Sequence, residues 1–222
     1  MKKHLLLMAT IAAPLIGLNF LGLKPAQAAP IVWTFTPAVD TLFGPTNTYA
    51  SSPVLTPPEN IIASGFSSSG PVNLFGKNQG AGEQGLGLAN DPSGQHEITP
   101  GSFVQLDLSQ LHSPPLLSTH LSFQSDSTTN GEIWRVYGTN TAGTLTGATQ
   151  LDSGNNNDLV ADLGPAILGV YRYLDVTAVG PGANILLHEI DNTIGVPEPT
   201  SLALLGTGLL GLGLIRRWRR KV

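Results

Sequence analysis

The sequence of 222 residues has no cysteine and is poor in charged and aromatic side chains, which make up 12% and 6% of it. Without a thiol the chain can form no disulfide. It can also carry neither a cysteine nucleophile nor a zinc or iron–sulfur site held by thiolates. Stability must therefore come from a packed core, which a chain of this length is large enough to bury.

Positive charge is almost missing from the middle of the chain. Over residues 29–195 the only cations are Lys77, Arg135 and Arg172, against 14 Asp and Glu, and the net charge of this segment is −11. A surface this acidic repels phosphate instead of releasing counterions from it, so we expect no binding to nucleic acid. We expect the two arginines to be buried against a carboxylate or to line a ligand groove.

The N-terminus has the parts of a secretory signal peptide. Two lysines precede an apolar stretch over residues 5–23, and Ala26 and Ala28 supply the small residues that signal peptidase recognises. We expect export through the Sec machinery and cleavage after Ala28, which makes residues 1–28 the signal peptide. An uncleaved anchor is the alternative interpretation.

The C-terminus combines a proline motif, an apolar run and a basic end. In the motif Pro197-Glu198-Pro199, each proline restricts the residue before it to extended conformations. The apolar residues 202–215 would form a helix of about 21 Å, which is short for a bilayer core of about 30 Å. The basic end at residues 216–221 keeps this terminus in the cytoplasm by the positive-inside rule. Its cations are Arg216, Arg217, Arg219, Arg220 and Lys221.

These three parts, in this order at the end of the chain, resemble a PEP-CTERM sorting signal over residues 196–222. The resemblance implies recognition by an exosortase, a membrane-embedded cysteine protease-transpeptidase of Gram-negative bacteria that make extracellular polysaccharide. It implies cleavage at or near residues 197–199 after a transient stage in the inner membrane. The final location would be the cell surface or the extracellular matrix. A plain C-terminal membrane anchor is the alternative.

Residues 29–195 have the pattern of a single all-β domain, a β-sandwich or jelly roll, flanked by the signal peptide and the apolar helix. Short runs of β-forming residues alternate with clusters of Gly, Pro, Asn and Ser, and no helical period extends over three turns. Glycine and polar content predicts loops over residues 76–101 and 152–158. The predicted strands are residues 31–36, 61–66, 72–75, 103–108, 116–123, 133–137, 171–176 and 184–190.

Sequence patterns of common enzymes are missing. There is no G-x-S-x-G elbow and no H-E-x-x-H pattern. Residues 80–85 match G-x-G-x-x-G, but no helix follows that could meet a pyrophosphate. The many carboxylates are compatible with a glycoside hydrolase, which needs two of them across a cleft. We therefore expect no enzymatic activity, with a secreted polysaccharide-active hydrolase as the alternative.

Calcium is the candidate cofactor, because it prefers oxygen ligands from loops. Asp91 and Glu97 could meet Glu189 and Asp191 if the glycine-rich segment packs beside the last strand. Residues 85–98 resemble a segment common in β-sandwich ectodomains of PEP-CTERM proteins. The terminal strands resemble those of galactose-binding-like jelly rolls, which often carry a structural calcium ion. The alternative is that these acids are simply solvated.

Aromatic side chains are the candidates for contact with sugar rings. We expect Trp33 and Trp134 to be used in the core, whereas Tyr137, Tyr171 and Tyr173 are available for a ligand. The sequence thus predicts an exported envelope or matrix protein that an exosortase sorts and cleaves. Its β-sandwich is expected to be structural or adhesive and to bind extracellular polysaccharide.

Overall fold

The computed structural model describes residues 30–80, 82–111, 116–124, 133–155, 157–164, 167 and 169–194. In that part of the chain, no helix has the length and apolarity needed to cross a membrane. The predicted signal peptide with Ala26 and Ala28, and the predicted sorting signal at residues 196–222, lie outside the described residues.

The described residues form fourteen strands in two antiparallel sheets. The first seven strands are β1 (Ile31–Thr34), β2 (Thr41–Leu42), β3 (Thr46–Ala50), β4 (Asn60–Ser67), β5 (Gly70–Val72), β6 (Leu74–Asn78) and β7 (Gln84–Leu88). The other seven are β8 (Ser102–Asp107), β9 (Leu116–Gln124), β10 (Ile133–Thr139), β11 (Thr149–Asn155), β12 (Val160–Asp162), β13 (Tyr173–Val179) and β14 (Leu186–Ile194). The predicted all-β sandwich is confirmed.

One sheet, sheet A, has the order β12-β9-β14-β7-β6-β2, and β1 also pairs with β14. Sheet B has the order β11-β10-β13-β8-β4-β3, and β5 pairs with β4. The first and last described strands are therefore neighbours, with Ile31 opposite Asn192. β14 lies inside sheet A and is hydrogen-bonded to β9 on one side and to β7 and β1 on the other.

The core lies between the two sheets, where alternate residues of each strand point inward. Phe123 of sheet A stacks on Trp134 of sheet B with ring centroids 4.7 Å apart. A Cβ at Gly65 of β4 would lie 2.8 Å from a methyl group of Leu88, so the sheets approach closely there. Trp33 and Trp134 are both buried, which confirms the expectation that they belong to the core.

Two predicted loops were wrong in part. The glycine-rich segment at residues 76–101 contains β7, and the polar segment at residues 152–158 contributes residues to β11. In β7, Leu86 and Leu88 are buried core residues that alternate with Gly85 and Gly87. Gly87 leaves room for the backbone of His96 on the outer face of the strand, and Gly85 leaves room for the backbone of Leu187 in β14.

Candidate functional site

The loop at residues 89–101 folds back over the outer face of β6 and β7. A Cβ at Gly87 would lie 2.0 Å from the backbone oxygen of His96, so only glycine allows this approach. The far end of the loop is fixed by two backbone hydrogen bonds between Ile98 and Ile185, of 2.9 and 3.1 Å. The 89–101 loop is therefore part of the packed structure and can hold side chains in fixed positions.

His96 is held in an unusual conformation in this loop. Its φ is +63°, in the left-handed region that residues other than glycine rarely adopt. The imidazole stacks on Phe75 of β6 with ring centroids 4.1 Å apart, and its Nδ1–H donates to the carbonyl of Ala89 at 3.1 Å. The fixed backbone and the two ring contacts leave a rigid aromatic pair on the outer face of sheet A.

The Phe75–His96 pair forms part of an open groove of about 630 Å³. Leu42 at one side is 63% exposed and adds apolar surface to the groove. Asn73 and Asn90 add amide donors and acceptors to an otherwise apolar surface. The described residues that line the groove are Leu42, Pro71, Val72, Asn73, Phe75, Ala89, Asn90 and His96.

A buried charge cluster lies two residues further along β6. Among the described residues, Lys77 is the only buried cation. Its ammonium donates to Oε1 of Glu97 at 2.9 Å and also pairs with Glu83. The side chains of Lys77 and Glu97 are 2% and 4% exposed, and that of Glu83 is 22% exposed. One buried ammonium thus faces two carboxylates.

The protonation of this cluster follows from its burial. Desolvation raises the pKa of Glu97, although the hydrogen bond from Lys77 lowers it in part. For Lys77, burial lowers the pKa, but the hydrogen bonds to Glu83 and Glu97 outweigh that effect and leave it raised. Oε2 of Glu97 is buried and has no hydrogen-bond partner among the described residues. A proton on Glu97 would therefore relieve an uncompensated buried charge.

A second buried acid lies on the outer face of sheet B. Asp175 of β13 is fully buried, and desolvation raises its pKa from 3.8 to about 7. Gln105 of β8 donates to its Oδ1 at 2.7 Å and also accepts from the backbone N–H of Gly143 at 3.1 Å. Gln105 therefore links Asp175 to the loop at residues 140–148, which covers this face.

The C-terminal segment of the chain contains a known sequence motif. A family model described as the PEP-CTERM protein-sorting motif matches residues 195–221. The chain carries a PEP-CTERM sorting signal. This sorting signal indicates export across the membrane to the cell surface and implies an exosortase as a partner. Neither the curated proteins nor the solved structures include a significant match to the chain.

The residues predicted to act in sorting all lie outside the described residues. They are the motif Pro197, Glu198 and Pro199, and the basic residues Arg216, Arg217, Arg219 and Arg220. The match at residues 195–221 contains all of them, and their individual roles stay predictions. The apolar residues 202–215 lie within the same match.

The four acids predicted as calcium ligands lie in two separate parts of the structure, two in the 89–101 loop and two on β14. Asp91 accepts from the backbone N–H groups of Ser93 at 3.0 Å and Glu97 at 3.4 Å, while Glu97 binds Lys77. On β14, Asp191 contacts Nδ1 of His120 at 3.0 Å, and Glu189 is paired with Thr34 and Ser122 in the ladder. Across the described ranges, no three His, Asp or Glu side chains are grouped in a way that could hold a metal ion.

The two arginines within residues 29–195 have different environments. Arg172 pairs with Asp107 at 3.0 Å, as expected for an arginine against a carboxylate, but its side chain is 54% exposed instead of buried. Arg135 is half-buried, and its Nε has no hydrogen-bond partner among the described residues. Neither arginine lines the groove. The groove and the buried cluster were both missed from the sequence, because their partners meet only through the fold of the 89–101 loop.

Proposed function

We propose that the β-sandwich of this PEP-CTERM protein is a structural or adhesive module without enzymatic activity, which binds extracellular polysaccharide in the groove. The observation that supports this proposal best is the rigid Phe75–His96 pair in an open groove that also presents two amides. Sugar rings offer C–H faces to aromatic side chains and hydroxyls to polar neighbours. The groove supplies both kinds of contact.

The net charge of residues 29–195 indicates which class of polysaccharide could bind. With a net charge of −11 over residues 29–195, the surface repels acidic polymers, and this repulsion is strongest at low salt. A neutral polysaccharide avoids the repulsion and gains the apolar contacts of the groove. The preferred ligand in this proposal is therefore a neutral extracellular polysaccharide.

A binding role is favoured over hydrolysis by the lining of the groove. A glycoside hydrolase places two carboxyl groups on either side of the scissile bond. The described residues that line this groove include no Asp and no Glu. We therefore expect retention of polysaccharide without cleavage.

The ligand proposal is tested by retention of the mature protein on neutral matrix polysaccharide, with release of reducing ends measured in parallel. Phe75→Ala removes the aromatic wall, and we expect binding to weaken about tenfold. Phe66→Ala is the matched control, because Phe66 stacks on Phe103 with centroids 5.1 Å apart on the other sheet. Equal retention of both variants, or no retention of the wild type, would contradict groove binding. Release of reducing ends would favour the hydrolase.

The two ends of the chain suggest how it is exported and processed. We propose Sec export with cleavage after Ala28, a transient inner-membrane stage held by residues 202–215, and exosortase cleavage at or near residues 197–199 in a Gram-negative cell. Mass spectrometry of the protein from such cells should then find a mature chain that begins at Ala29 and ends near the motif. A chain ending at Val222 in cells with active exosortase would show that cleavage does not occur.

A further inference from the structure

The cluster of Lys77, Glu83 and Glu97 takes no part in the groove and contains more charge than a simple ion pair requires. A single carboxylate would neutralise the buried ammonium, yet the fold brings two to it. Buried charges are costly even when paired, because both ions lose their hydration. We propose that Lys77 and Glu83 react to form an intramolecular amide cross-link, and that Glu97 transfers the protons.

The fold holds the reacting groups together. Lys77 is paired with Gly85 in the β6–β7 hairpin, and Glu83 directly precedes β7. The backbone of Glu83 is fixed by hydrogen bonds to Gly80 and Gln79, of 3.0 and 3.1 Å. The ammonium lies against the Glu83 carboxylate, so the nucleophile and the acyl group are in contact before reaction. Such preorganisation makes the reaction effectively unimolecular, because the two groups need not first find each other.

The proposed step balances without any further reactant. Glu97 relays two protons in succession from Nζ of Lys77 to one oxygen of Glu83. The lone pair of Nζ attacks Cδ of Glu83, and the C–O bond to the protonated oxygen breaks to release water. One ammonium and one carboxylate become one amide and one water molecule, with no change in net charge and no oxidation or reduction.

Glu97 contacts the proton donor through one oxygen, and its second oxygen has no partner in the part of the chain that the structure describes. Its Oε1 accepts from Nζ of Lys77 at 2.9 Å, while its Oε2 has no hydrogen-bond partner within the described residues. Its burial favours the protonated acid, so it can hold a proton between the two transfers. After the reaction Glu97 no longer faces a cation and takes up one proton from solvent, because its burial favours the neutral acid. The neutral Glu97 can then donate a hydrogen bond to the new amide, which leaves no buried ion behind.

Burial also favours the product over the starting ion pair. In water, hydration of the two ions opposes amide formation, but here the side chain of Lys77 is only 2% exposed and that of Glu83 is 22% exposed. Glu83 is the most exposed of the three, which gives the released water a way out. Because Lys77 rests as an ammonium with a raised pKa, we expect one slow reaction per chain during maturation instead of a rapid turnover.

The test is the mass of the mature wild-type protein. We expect it to be lower than the mass calculated from its sequence by one water molecule. Trypsin should fail to cleave after Lys77, and fragmentation should locate a branched peptide that joins Lys77 to Glu83. A full sequence mass after prolonged storage would overturn the proposal, and so would a water loss located at any other residue pair.

Variants test the roles within the cluster. Lys77→Arg and Glu83→Ala should both have the full mass, and Glu97→Gln should lose water much more slowly than the wild type. Glu189→Gln is the matched control, because Glu189 lies in the same sheet outside the cluster and should react like the wild type. Unchanged water loss in Glu97→Gln would overturn the relay. If a variant fails to fold, the wild-type mass still decides whether the cross-link exists.

Discussion

Replacing Asp175 by asparagine is expected to stabilise the protein at neutral pH and to have almost no effect in acid. The pKa of Asp175 is raised from 3.8 to about 7 by burial, so the folded state holds a proton that the unfolded state releases. Stability from this group is therefore present below about pH 4 and is lost as the pH rises towards 7. The shift corresponds to a difference on the order of 4 kcal/mol. Asparagine keeps the acceptor for Gln105 and cannot ionise.

The measurement is the free energy of unfolding in urea, at several values between pH 4.5 and 8, for the wild type and Asp175→Asn. We expect the difference between the two proteins to grow with pH. Gln105, which lies opposite Asp175 in the ladder, and the loop at residues 140–148 contribute no ionisable side chain.

Asp107→Asn is the matched control for this prediction. The hydrogen bonds from Arg172 and Ser109 leave the pKa of Asp107 lowered despite its partial burial. Its carboxylate is thus ionised in both states across the tested range, and its variant should differ from the wild type by a constant amount. A constant difference for Asp175→Asn as well would show that Asp175 ionises normally in the folded protein.

Replacing Gly87 by alanine is expected to displace the 89–101 loop. The added Cβ would meet the backbone oxygen of His96 at 2.0 Å and Cα of Glu97 at 2.9 Å, and backbone atoms cannot turn aside as a flexible side chain can. We expect a loss of stability of about 1–3 kcal/mol, which is typical of overpacking. The Phe75–His96 pair should separate as well, since the loop carries His96.

Amide hydrogen exchange measures this displacement without any ligand. The N–H of Ile98, which donates to Ile185 at 2.9 Å, should lose protection in Gly87→Ala. Gly44→Ala is the control, because a Cβ there would meet only the Thr46 oxygen at an ordinary 3.9 Å. Equal protection of Ile98 in both variants would mean that the loop tolerates a side chain beneath it.

The strand predicted over residues 103–108 corresponds to β8, in which apolar and polar residues alternate after Phe103. Val104 and Leu106 of β8 face the core, as their spacing predicts. Alternation alone did not predict that Gln105, on the other face, would also be buried, since it is covered by the distant loop at residues 140–148. In β14 a register shift between Leu187 and Glu189 interrupts the expected period.

The sites could not be predicted because they depend on contacts between distant residues. Glycine at positions 85 and 87 suggests a turn by its conformational freedom. Here Gly85 makes space for the backbone of Leu187 in the neighbouring strand β14, and Gly87 makes space for the backbone of His96 above the strand. Lys77 and Glu97 are 20 residues apart, and charged residues are usually solvated, so nothing in their local sequence indicates a buried pair. The sorting signal was predictable because its parts are contiguous.

The position of β14 determines how the protein would bear mechanical load. The C-terminal tail leaves the domain from this interior strand, which is hydrogen-bonded on both sides. Tension applied through the tail along the strand would have to shear two ladders at once instead of opening one ladder bond by bond. Because β1 is one of its neighbours, the first strand of the domain reinforces the last. A domain anchored at this end would therefore resist being pulled apart by flow or by a moving cell.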